Sequence, residues 1–274
     1  MSSAAIIELD QWLQTPPGAL LNDWTLGRLD QFVVDAFGFH AVQLGLPGLD
    51  GLRANRMPHR WLFDDEWPGA QVCGSRTGER AVALVCDFDA LPLPSDSIDL
   101  VLLPHTLELS HDPHQALREV ARVLRPEGRV VVVGFNPASL WGLRQRCGRL
   151  RRGLGFGRAS TLFMPRAGDF IGYWRLRDWL RLLALEPERG QFGVYRPPFL
   201  SRQWLERFDW IEALGERWWP VLGAVYVLVA VKRVRGMRLI GLPRRAKACS
   251  GAGAMVAARR HAQRHHAVEV QEDA

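Results

Sequence analysis

The sequence predicts an α/β fold, a Rossmann-like seven-stranded, mostly parallel sheet with helices on both faces and the last strand antiparallel. Three observations predict it. Short apolar runs of strand length alternate along the chain with segments of helical period, the pattern of an open sheet covered by helices. One run, Val130, Val131, Val132 and Val133, is apolar without a break, as a central strand buried on both sides must be. Gly45, Asp64 and Asp87 follow three of the apolar runs, at the carboxyl ends of strands where an open sheet forms its ligand crevice.

Taken in order, residues 19–37 read as a helix. Leu29, Phe32, Val33, Ala36 and Phe37 recur at the spacing of one buried face, and Gly38 stops it. A strand at 39–44, a loop at 45–51, a strand near 60–63 and one at 81–86 follow, then a strand at 98–103 bounded by Ser95, Asp96, Ser97 and Pro104. The clearest helix spans 113–124: Asp112 caps it, Pro113 suits its first position, and Gln115 completes a capping box. Pro126, Glu127 and Gly128 make a turn into the valine strand at 129–135. Residues 136–174, rich in Gly and Arg with weak periodicity, read as an insertion over one end of the sheet. A helix at 176–185, a strand at 191–195, a helix at 201–214 and a last strand at 221–231 complete the sheet. Three parts result: a helical segment 1–38, a sheet domain 39–231 carrying the insertion 136–174, and a basic tail 232–274 expected to be disordered.

Composition excludes several classes. With 274 residues, 47% apolar and 23% charged, the chain can bury a sizeable core. Its longest apolar stretch, 218–231, is 14 residues long, contains Pro220, and falls short of the roughly 20 that a bilayer needs, so no membrane span is expected. Glu8 and Asp10 interrupt the N-terminus where a secretory signal would be basic and then apolar, which points to a cytoplasmic protein. The four cysteines are scattered without a C-x-x-C pair, so neither a metal site nor a disulfide framework is expected. The net charge of +6 is local: residues 232–264 hold ten Lys or Arg and no acid, while residues 1–231 hold 25 basic against 26 acidic. A second basic run, 129–166, has eight Arg and no acid. Such runs attract phosphate of any kind, yet no aromatic platform or reading helix accompanies them, so the core gives no support to a nucleic-acid partner. A small-molecule partner is the expectation, and the oligomeric state is not legible.

The segment Cys86-Asp87-Phe88-Asp89-Ala90-Leu91-Pro92-Leu93-Pro94, continuing through Ile98-Asp99-Leu100-Val101, His105-Thr106-Leu107-Glu108, Asp112-Pro113 and Leu124-Arg125-Pro126 to Gly128, closely resembles class I S-adenosylmethionine-dependent methyltransferases of the type 11 group. The resemblance is specific over residues 85–135 and weaker upstream. It implies the cofactor S-adenosyl-L-methionine and a set of roles. By resemblance, Asp64, 19 residues beyond Gly45, accepts both ribose hydroxyls, and Asp87 accepts the adenine amino hydrogen with Phe88 flanking the ring. A carboxylate suits both tasks because it only accepts. Gly45, Leu46 and Pro47 stand where the family's glycine loop meets the methionine tail. His105 lines the methyl-transfer side of the pocket, and with Glu108 one helical turn on it is the candidate for proton transfer.

The glycine loop departs from the family pattern. Gln43 stands at its acidic place, Pro47 and Leu49 stand where its second and third glycines would be, and Gly48 is out of step. Proline lacks an N–H, and leucine puts a side chain where the family keeps none. Either the loop takes another path using Gly48 and Gly51, or the site has decayed into a catalytically inactive scaffold or binding module. A nicotinamide site is disfavoured, because Gly45, Gly48 and Gly51 give G-x-x-G-x-x-G rather than G-x-G-x-x-G. The pair Asn136-Pro137 resembles part of an amino-methyltransferase signature but follows the fifth strand rather than the fourth, so it is not assigned that role.

Overall fold

Seven strands form one sheet: β1 (His40–Leu44), β2 (His59–Asp64), β3 (Val82–Val85), β4 (Ile98–Pro104), β5 (Leu124–Phe135), β6 (Leu185–Gly193) and β7 (Val225–Lys232). The structure is a computed structural model and describes residues 3–65, 81–153, 163–164 and 170–233. All but the first two residues of the expected basic tail, 232–274, lie outside them. The strand order is β3-β2-β1-β4-β5-β7-β6; the pairs from β3 to β5 are parallel, and β7 lies antiparallel between β5 and β6. The expected fold, including its antiparallel last strand, is the one observed. Strand order reverses between β1 and β4, so the crevice of the sheet opens past their carboxyl ends.

The helices are α1 (Ser3–Leu13), α2 (Pro16–Val34), α3 (Thr106–Leu109), α4 (Pro113–Val123), α5 (Leu140–Gly153), α6 (Tyr173–Leu182), α7 (Arg202–Arg207) and α8 (Trp210–Trp218). Strand alternation sends Leu100, Leu102, Val131 and Val133 into one core, with Leu29 and Val33 of α2 and Trp141 of α5. Val101, Leu103, Val130 and Val132 enter the other, with Leu117 and Val120 of α4 and Leu176 and Leu180 of α6. The valine run thus divides two and two between covered faces, and each fully buried side chain contributes about 1.5–3 kcal/mol over an exposed one.

Several local expectations are corrected. Within residues 136–174, for which no helix was expected, lie α5 and the start of α6. The Pro126-Glu127-Gly128 turn is absorbed into β5 as a bulge: Ile98 pairs with Leu124 but Leu100 with Arg129, and Glu127 takes a φ of 65°. The helix expected at 201–214 divides into α7 and α8. At the start of α4, Asp112 accepts from His114 N and Gln115 N at 3.0 and 3.1 Å, as a cap should. Gln115 does not close the capping box; its amide reaches Asp89 O instead. The bend between α1 and α2 is tight, since a Cβ on Gly18 would lie 2.2 Å from the Trp12 carbonyl oxygen, which is backbone and cannot swing away. Gly18→Ala is expected to destabilise the chain by about 1–3 kcal/mol in urea titration.

Candidate active site

The site grows from the carboxyl tips of β1 to β4. Gln43, near the end of β1 and 2% exposed, turns its amide into the following loop. Its Nε2 donates to Gly45 O, Leu46 O and Leu49 O at 3.2, 3.2 and 2.7 Å, and its Oε1 accepts from Gly51 N at 3.1 Å. Only an amide can both donate and accept here; a carboxylate would face three carbonyls with nothing to give. Gln43 therefore latches the loop. Gly45 (φ 77°) and Leu46 (φ 52°) both take left-handed conformations, and Gly45 N donates to Phe63 O at 2.7 Å. The Leu46 and Leu49 side chains turn down into the core with Leu29, Leu52 and Leu102, so neither fills the crevice. For Leu46 only main-chain atoms remain to meet a ligand, and Pro47 is half-buried. Gln43, rather than glycines at alternate positions, sets the path of this loop. Gly51 is held by Gln43, and a Cβ on Gly48 would strike Asp10 of α1 at 2.4 Å.

The next two tips carry the acids. Asp64 ends β2, is 4% exposed, and accepts from Asp65 N at 3.0 Å. Its carbonyl accepts from Cys86 N at 2.8 Å, which ties the end of β3 to it. Asp87 follows, exposed, with Oδ1 accepting from Asp89 N at 3.0 Å. The Cys86 thiol lies in the field of both: burial first, then Asp87, Asp65 and Asp64, push it up to about 11. Asp64 and Asp87 thus share one corner of the sheet edge. Phe88 is buried rather than projecting, and its ring edge lies 3.6 Å from where a Gly45 Cβ would be, so it floors the corner beside β1.

At the tip of β4, His105 takes a left-handed φ of 57°. Its Nδ1 lies 2.9 Å from Glu108 Oε2, and Glu108 Oε1 accepts from Phe135 N at 2.6 Å. The His105 ring rests on Phe135 with centroids 4.2 Å apart. Thr106 Oγ1 donates to Leu44 O and so ties this tip to β1. Burial holds the Glu108 carboxyl above the usual range, against the opposing pull of His105 and the Phe135 N–H. His105 Nε2 is buried with no partner among the described residues, and it keeps its lone pair in the tautomer whose Nδ1–H donates to Glu108.

Thr106 and Phe135 are neighbours of the site that the sequence reading did not single out, and Gln43 was read there only as a departure from the family's acidic place. The bond from Phe135 N to Glu108 spans 27 residues and left no signal in the sequence. Asn136, unassigned from sequence, serves the backbone, its amide donating to Val221 O at 2.6 Å and Gly223 O at 2.9 Å. Among the described residues no group of three or more His, Cys, Asp or Glu could hold a metal ion.

An open parallel sheet with acids at two adjacent tips and a histidine past the switch point defines a class, and comparisons with known proteins bear on it directly. A family model described as a methyltransferase domain matches residues 65–132. The chain belongs to the class I S-adenosylmethionine-dependent methyltransferase family. It is 31% identical to the uncharacterized protein YafS of Escherichia coli over 182 residues, 66% of this chain and 67% of that one. It is 46% identical to a malonyl-[acyl-carrier protein] O-methyltransferase of Halorhodospira halophila over 61 residues, but that alignment spans only 22% of this chain and 21% of the relative. Among solved structures, the methyltransferase in a complex with the Trm112 activator of Haloferax volcanii superposes with a TM-score of 0.54 at 19% identity, covering 85% of this chain and 99% of that one. A SAM-dependent methyltransferase of Thermotoga maritima gives 0.51 at 17% identity, covering 78% and 92%. These structures share the fold.

The residues present suit the nucleoside half of the family's cofactor. Asp64 and Asp87 offer acceptors only, at neighbouring tips, for hydroxyl and amino donors. Gly45 turns with no side chain above Phe88, and His105 presents an unpartnered buried nitrogen. The methionine half meets a Gln43-latched loop in place of a glycine cradle.

Proposed function

We propose that this protein transfers a methyl group from S-adenosyl-L-methionine to an acceptor of small or medium size. The observation that carries the reading is the placement of Asp64 and Asp87 at adjacent strand tips, with the His105–Glu108 pair at the tip of β4 beside β1. The cofactor supplies a methyl on an already activated sulfonium, so the protein has chiefly to bind and align. Asp64 would hold the ribose hydroxyls and Asp87 the adenine amino group, with Gly45, Phe88 and the Leu46–Pro47 main chain beneath. His105 would take the acceptor's proton at Nε2 while Glu108 fixes Nδ1 in the protonated form.

Incubation with tritium-labelled S-adenosylmethionine and fractionated cell extract tests this. We expect label in a fraction of acceptor, and His105→Ala to lower turnover by about 10²–10⁴-fold with cofactor affinity unchanged. Undiminished turnover in that variant would remove His105 from the reaction. A second reading, a binding module without catalysis, is favoured by one observation: Gln43 already satisfies the loop that would cradle the methionine tail. Absence of cofactor binding at millimolar concentration would support it.

A further inference from the structure

Helix α5 has two apolar faces where packing needs one. Inward, the Trp141 indole donates to Arg196 O at 2.6 Å and Gln145 Oε1 accepts from Phe163 N and Met164 N. Outward, Leu140, Leu143, Cys147 and Leu150 recur at i, i+3, i+7 and i+10 and stand exposed, Leu143 at 57% and Leu150 at 66%. A surface helix packed on one side ordinarily carries polar residues on the other. Here exposed Arg146 flanks the outer stripe on one side with Arg149, whose guanidinium lies over the Phe170 ring, and exposed Arg144 flanks it on the other, over Phe163 and donating to Pro198 O. Residues 129–166 contain no Asp or Glu to neutralise them.

The apolar surface continues beyond the helix. Leu222 joins Leu140 and Leu143 around a pocket of about 150 Å³ whose charged lining residue is Arg146. Just before Leu222 in the chain, Trp218 and Trp219 are exposed at 67% and 58%. Exposed apolar surface of this extent marks an interface. Its chemistry selects the partner. A leucine stripe bordered on both sides by arginine, with tryptophan at its rim, is the pattern of a helix lying in a lipid interface: the leucines enter the acyl boundary and the guanidinium groups reach phosphate. A second copy of this face would instead set arginine against arginine.

We propose that α5 and the Trp218–Trp219 corner dock the protein peripherally on an anionic phospholipid surface. No helix among the described residues is long and apolar enough to cross a membrane, so the contact is one of lying on it. The face borders the edge that carries His105 and Glu108, because Phe135, the donor to Glu108, pairs with Val225 just beyond Leu222. That a docked enzyme meets an acceptor borne in the lipid rests on the methyl-transfer reading; the docking itself does not.

Cosedimentation of the full chain with phosphatidylcholine vesicles, with and without about one third phosphatidylglycerol, tests the docking. We expect at least roughly tenfold tighter binding to the anionic vesicles at low salt, weakened by added salt. Arg146→Ala should weaken it about fivefold, and the double variant Leu143→Ser with Leu150→Ser by about tenfold or more. All these side chains are exposed, so melting temperatures should be unchanged. Three results would overturn the proposal: no binding to anionic vesicles at low salt, equal binding by the double leucine variant, or a dimer that binds no vesicles and that Leu143→Ser dissociates. The second would mean attraction to phosphate alone, the third a face covered by another copy.

Discussion

Replacing Gln43 by glutamate, the residue type that the family places there, is expected to destabilise the protein by about 3–5 kcal/mol at neutral pH. The amide now gives its two hydrogens to three carbonyls and its oxygen to Gly51 N inside a site 2% exposed. A carboxylate would keep the Gly51 bond, orphan three acceptors, and bring a buried negative charge against their oxygens. Its carboxyl would be pushed up, and a raised carboxyl contributes stability that is present below its unfolded value and lost as pH rises through the folded one. The deficit of the variant should therefore shrink as the pH is lowered toward about 4. Urea titration at two pH values reads both effects. A variant as stable as the parent at neutral pH would mean that Gln43 does not organise the loop.

Glu108→Gln is expected to separate chemistry from folding. Glutamine can still accept from Phe135 N while its amide donates to His105 Nδ1, so both bonds now made at 2.6 and 2.9 Å have counterparts. The imidazole must then carry its hydrogen on Nε2 and loses the lone pair that would accept a proton. Turnover should fall by about 10²–10⁴-fold while cofactor affinity stays within about twofold. Stability has its own signature. Burial raises the Glu108 carboxyl above its ordinary 4.5, so its contribution is complete below that value and declines as pH rises through the raised one. In Glu108→Gln that decline should vanish from the stability profile above pH 4.5, measured by thermal melting. Glu108→Leu, which leaves the Phe135 N–H without a partner, should cost about 1–3 kcal/mol.

The legible parts of this molecule were those fixed by local pattern. Val130 to Val133 could only be a strand covered on both faces, and Asp112-Pro113 could only open a helix; both hold. The acids at 64 and 87 were legible as strand-end residues, because topology alone carries such residues to one edge. Elements defined by something other than burial were hidden. In α5 the residues at helical spacing, Leu140, Leu143 and Leu150, are the exposed ones, and the Gly and Arg residues between them hid the period. Glu127 could be read as a turn because a bulge and a turn use the same residue types, and only pairing with β4 distinguishes them. The role of Gln43 was not legible either: its partners, from Gly45 to Gly51, come within reach only when the loop folds back on the strand that precedes it.

Calorimetric titration with S-adenosylmethionine, of the parent chain and of Asp87→Ala, tests the central claim most directly. Asp87 is exposed and its carboxyl caps the turn amide of Asp89, so the substitution should lower the melting temperature only slightly. The account predicts micromolar binding by the parent and a loss of about tenfold or more in the variant, the scale of one charge-assisted hydrogen bond. Failure of the parent to bind at millimolar cofactor, or equal binding by both chains, would contradict it.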